Sequence, residues 1–315
     1  MPKDSVLVVI AGLAGAALFF PALAGGAAGA MVSFASALPL IMAGLGLGFR
    51  SALYAAAVGT VALAALGAAV AMAFLLVDVL PSLLLVGLGL RRGPGGDGEW
   101  YPIGKIAAAL SLVAAMVLAS ILVGTPPHAG GIEGGVLEAV RHAVDAWAPV
   151  LSQEERQEIA KALAPILPWQ MMKSWALRVL ILGVVAQWAV TRMRRDLRPT
   201  PGYMALELPS WSVVTFLLVL GVAVTGPGDV GYLARNAGFV LGLPLFLLGL
   251  AAVHAQAGRG RSPRTVLMAF YVGYVVATWS YAAVIVLGLV EHWVRLRQRR
   301  LGGGSGRDGD GSRSA

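Results

Sequence analysis

The sequence predicts an all-α, polytopic transmembrane helix bundle of eight or nine crossings, with one extracytoplasmic loop of short amphipathic helices. Three observations carry that reading. Across residues 5–90 only Arg50 and Asp78 are charged, and a bilayer crossing needs about 20 mainly apolar residues, so the stretch alone holds several crossings. Over the whole chain 58% of residues are hydrophobic and 13% charged, against about 25% charged in soluble domains. The basic residues, finally, sit in short clusters at the ends of apolar segments: Arg91-Arg92, residues 192–198, 259–264 and 295–300.

Those clusters exclude a nucleic-acid surface, which needs one basic patch with interleaved aromatics. Positive-inside topology and anionic headgroups explain the net charge of +8. With no cysteine in the chain, disulfides, thiolate metal sites and Cys nucleophiles are all excluded. Residues 1–300 read as a single transmembrane domain with an extracytoplasmic insertion at about 125–170, and residues 301–315 as a disordered Gly/Ser tail.

In order, the first apolar run ends at Phe20-Pro21 and reads as a retained helix; Ala22-Leu-Ala24 is the small-residue site a cleavable leader would use. Gly12 and Ala16 have small-x-x-x-small spacing, as do Gly44 and Gly48, which suits close helix contact. Pro39 interrupts the second segment. Asp78 and Pro81 then break another run. The Asp78 carboxylate reads first as an interface group where two crossings turn; held inside the bundle it is a functional candidate.

Residues 91–105 form a polar loop in which Trp100 and Tyr101 are headgroup-level anchors. Its Gly-rich run, residues 93–98, lacks the preceding strand and following GK[ST] of a phosphate loop. No cofactor is expected. Residues 103–123 cross next. In the insertion, Val136, Leu137, Val140, Val144 and Trp147 share a helical face, and Ser152 with Glu155 has capping-box spacing. Its acidic balance places it opposite the basic loops, as short helices lying on the outer surface or lidding the bundle. His128 and His142 lack a partner at i+3 or i+4 and read as solvated side chains, so no metal site is expected.

Crossings follow at residues 174–191, 212–225, 231–254 and 266–289. Arg235 and Asn236 lie near the outer end of the third, and Pro244 breaks it mid-span. Tyr271, Tyr274, Trp279 and Tyr281 in the last read as packing or an interface belt. Nine segments with an inner N-terminus place residues 295–300 outside, against the positive-inside rule; a re-entrant segment leaves eight crossings and an inner tail.

Glu99-Trp-Tyr-Pro-Ile-Gly104, Arg198-Pro-Thr-Pro201 with Leu208-Pro-Ser-Trp211, Asn236 followed by Leu248-Gly-Leu-Ala-Ala-Val-His254, and Leu287-Gly-Leu-Val-Glu-His-Trp-Val-Arg-Leu-Arg297 occur in that order. Together they resemble the YybS-like bacterial membrane proteins, a family of unknown function. That family is distantly similar to the substrate-binding S components of energy-coupling-factor transporters. The resemblance implies that small residues of the first helix, here Gly12 and Ala16, contact a transmembrane coupling subunit, and that substrate sits near the outer face. The additional crossings and the large outer loop depart from the S-component pattern, and no vitamin-binding motif carries over.

The reading is thus a non-enzymatic protein of the bacterial inner membrane, with the lipid bilayer as its solvent. It binds a small molecule for uptake, with Asp78, Arg235 and Asn236 as ligand-binding candidates. The alternative is a structural or assembly protein that contacts others through its outer loop or basic inner loops. No HExxH, GxSxG or paired intramembrane carboxylates support an enzyme.

Overall fold

The computed structural model describes residues 3–93, 99–126, 130–203, 206–258, 262–277 and 279–294. His128, most of the Gly-rich run at 93–98, the basic cluster at 295–300 and the tail at 301–315 lie outside the described residues. Among the described residues, helices account for the regular structure, and six are long and apolar enough to cross a membrane.

Helix α1 (Lys3–Phe19) starts beside residues 193–198, where Arg195 lies 3.3 Å from Asp4. That end of the bundle is its basic face. The chain returns through α2 (Gly26–Ser33) and α3 (Leu38–Leu47), separated by a turn, and α3 ends where Leu197 N–H donates to Leu45 O at 3.3 Å. Gly48 reverses the chain with φ +103°, a conformation L side chains resist. Helix α4 (Phe49–Ala64) then crosses back and Gly67, at φ +135°, turns it into α5 (Ala68–Phe74). A π-helical turn (Leu75–Val79) joins α5 to α6 (Leu80–Gly89), making one interrupted crossing.

Helix α7 (Ile103–Val123) rises to the opposite, acidic face, which carries α8 (Gly131–Trp147) and α9 (Gln153–Leu163). These two do not float. Val136, Val140 and Val144 of α8 are buried in the largest hydrophobic cluster, and Arg156 of α9 pairs with Asp145 of α8 at 3.0 Å. Ile132 N–H also donates to Asp229 Oδ1 at 2.8 Å, so the insertion caps the bundle. Helix α10 (Leu167–Arg192) descends, α11 (Ser210–Thr225) rises, and α12 (Gly228–Leu241) continues into α13 (Leu243–Ala257), with Pro244 at the junction.

The last segment differs from the single crossing expected at 266–289. It is two helices, α14 (Pro263–Val276) and α15 (Ser280–Val294). Along α14, Tyr271 meets His254 and Tyr274 meets Phe246, so that helix runs antiparallel to α13. Along α15, Tyr281 meets Phe239, Ile285 meets Gly242 and Gly288 meets Leu245 and Gly249, so it runs back with α12–α13. The chain reverses between them and returns toward the basic face. The connectivity is therefore eight passes followed by an out-and-back pair of short apolar helices, which brings the end of α15 back toward the basic face.

Large apolar side chains face outward at high exposure, among them Met31 (78%), Val184 (71%) and Val275 (82%). Such a surface is stable only where the solvent is itself apolar.

Candidate functional site

A buried polar site forms where two interrupted crossings meet α10. Pro81, at the start of α6, has no N–H to give the carbonyl four residues back, which is Val77 O. The π turn widens the helix there and leaves that oxygen needing donors. Two side chains of α10 supply them: Trp175 Nε1 donates at 2.9 Å and an Arg178 amine at 3.0 Å. The same turn aims Asp78 inward, where its carboxylate is 0% exposed and paired with Arg178, itself 11% exposed.

The break between α2 and α3 completes the site. Arg178 also donates to Ser33 O at 3.3 Å and to Ser36 Oγ at 3.4 Å. Ser36 Oγ lies 2.9 Å from Asp78 Oδ2 and 2.7 Å from Ser33 O, so its single proton has two acceptors. One guanidinium thereby ties together a proline-broken helix, a π turn and α10. Asp78 sits ten positions from Ala68 and eleven from Gly89, in the middle of its crossing. This corrects the interface reading of that residue: the backbone absorbs Pro81 as a π turn instead of turning the chain there.

The other two ligand candidates lie elsewhere. Asn236 is 2% exposed inside α12; its Nδ2 donates to Tyr232 O at 3.1 Å and, among the described residues, its Oδ1 has no hydrogen-bond partner. Arg235, one position away, is exposed. Residues on α12 pack into a different hydrophobic cluster from those around Asp78, so the three candidates do not line a common cavity.

The small-residue candidates are occupied within the chain. A Cβ at Gly12 would strike Ala55 O and come within 2.8 Å of Val58, so α1 packs tightly on α4. Ala16 is 6% exposed beside Phe19, Leu40 and Phe74. Both therefore face inward, and the coupling-subunit contact implied for them by resemblance is not available on this surface. Gly44 does make a helix contact, its Cβ position lying 2.5 Å from Val86. Gly48 instead serves the turn after α3, with only Leu197 nearby.

Sequence reasoning missed two cations on α10. Arg178 is one; a single charge within an apolar crossing is the signal that marks it. Lys173 is the other, 8% exposed, with Nζ 5.0 Å from the Trp169 ring and 4.5 Å from that of Tyr281. The aromatic series of the last segment is thus partly a cation-holding cluster.

Long apolar helices, alternating basic and acidic faces and a buried charge pair at broken helices define a polytopic, membrane-embedded protein. The chain belongs to the family described as predicted membrane protein (DUF2232), whose model matches residues 6–291. That family has no assigned function. No curated protein matches the chain, and no solved structure does.

Proposed function

We propose that this chain is a non-enzymatic, multi-pass protein of the bacterial inner membrane that binds a small molecule for uptake, with its basic face in the cytoplasm. The observation that carries the reading is the Asp78–Arg178 pair at the meeting of two interrupted crossings. Ionisable groups held within a bilayer are expensive and mark substrate or ion paths. Discontinuous helices at mid-membrane are where transporters place their sites. The pair closes the site in the ligand-free protein, and ligand binding opens it by competing for Arg178.

The alternative, an assembly protein using its outer loop, is less well supported. Val136, Val140 and Val144 of α8 are already buried against this chain's own core, leaving Trp147, Val150 and Ile166 as the large apolar groups that the insertion exposes. Thermal unfolding of purified protein against a broad library of vitamins and small metabolites tests the proposal. A ligand that raises the melting temperature of the wild type and not of Arg178→Met supports it. No shift from any compound would overturn it.

A further inference from the structure

Near the basic face, α3, α6, α7, α10, α13, residues 198–203 and Leu206 line a cavity of about 340 Å³. Its walls are apolar, including Leu85, Ala107, Leu180 and Leu247. That volume is at the lower end of ligand pockets, roughly 300–1,000 Å³. Its polar end is formed by Gln187 and Arg198, and these are not surface groups: Arg198 is 7% exposed and Gln187 6%.

Arg198 is held rigidly but is not neutralised. Its two amines donate to Gly89 O at 2.9 Å and Tyr101 O at 3.0 Å, and Gln187 Nε2 fixes its backbone carbonyl at 2.7 Å. Among the described residues its Nε has no hydrogen-bond partner and no carboxylate pairs with it. A buried guanidinium without a counter-charge carries a large desolvation cost, which a bound anion relieves.

The rest of the site says where that anion comes from. Val184 (71% exposed) and Ile181 (44% exposed) line the cavity and also face outward, so its mouth opens to the lipid-facing side of α10. Trp100 and Tyr101 beside Arg198 mark headgroup depth. Basic pockets between helices on the cytoplasmic side of a bundle select anionic headgroups. We infer that this groove binds one anionic phospholipid, its phosphate on Arg198 and an acyl chain along the apolar wall. The inference stands apart from the Asp78–Arg178 site and needs no uptake activity.

The test is lipid retention by the full chain. Protein purified in a mild non-ionic detergent is equilibrated with equal amounts of phosphatidylglycerol and phosphatidylcholine, and bound lipid is counted by native mass spectrometry. The wild type is expected to keep phosphatidylglycerol about tenfold over phosphatidylcholine, and Arg198→Gln to lose that preference. Val184→Trp, a bulky change at an already exposed position, is expected to lower retention of phosphatidylglycerol without lowering the melting temperature. Equal retention of the two lipids by the wild type overturns the inference, as does an unchanged preference in Arg198→Gln. Uptake of dodecyl phosphate with no phosphatidylglycerol retained overturns the phospholipid as occupant.

Discussion

Asp78 and Arg178 stand 100 positions apart in the chain and form an ion pair in the interior of the bundle. Each alone is costly at that depth, about 2.5–3.5 kcal/mol for an Asp or Arg at a helix centre on insertion scales. Together they share the burden with Ser36 and with the carbonyls that the chain's interruptions leave open. The prolines and the π turn are thus half of the site. They free the backbone acceptors, and the guanidinium collects them.

The path of the last two helices predicts where the C-terminal region lies. The chain has no native cysteine, so single replacements report cleanly. A membrane-impermeant maleimide should label Gln157→Cys on α9 in cells with an opened outer barrier. With the basic face cytoplasmic, as proposed, Arg91→Cys and Trp293→Cys should react only after the membrane that holds the protein is permeabilised. Labelling of Trp293→Cys together with Gln157→Cys would mean a ninth crossing.

Close helix contact at Gly288 predicts a second outcome. A Cβ there would run into Leu245 O, whereas at Gly221 nothing lies within 4 Å. Gly288→Val should lower stability in detergent by about 1–3 kcal/mol through overpacking. Gly221→Ala should be neutral or stabilise by about 0.4–1 kcal/mol. Thermal or denaturant unfolding separates the two.

The capping box of α9 gives a pH dependence. The Glu155 carboxyl is held below its usual range by the Ser152 hydroxyl and then by the Ser152 N–H, 2.8 Å from Oε2. A depressed carboxylate contributes stability that is present above its ordinary range and lost as pH falls through its folded value. Amide exchange in α9, corrected for intrinsic rates, should therefore speed up as pH drops from about 6 to about 3. Ser152→Ala should make α9 exchange faster at pH 6 and weaken that dependence.

Most of the architecture could be read from the residues because lipid imposes a long-range rule on short-range composition. Runs such as 103–123 and the acidic insertion between basic ends need no tertiary knowledge: the first is the single helix α7 and the second holds the short helices α8 and α9. The capping box at Ser152 and Glu155 is equally local. What failed depends on packing. Pro81 beside Asp78 suggested a turn, and whether a proline ends a helix or is absorbed by a π turn depends on donors from another helix. Residues 266–289 have the length of one crossing, and the reversal is visible only in their contacts with α12 and α13. Arg198 looks like one more member of a basic cluster until residues 89 and 101 bury it. Arg178 carried a readable signal, a lone charge in an apolar run, but its partner could not be named without the fold.

A double-mutant cycle on Asp78 and Arg178, read as unfolding free energy in detergent, tests most directly whether this pair holds the interrupted crossings together. Asp78→Asn and Arg178→Met should each cost about 3–5 kcal/mol, since each breaks a buried pair. The double variant should cost well under the sum, because the second change removes what the first leaves unpaired. Additive losses, or single losses below about 1 kcal/mol, would contradict the account.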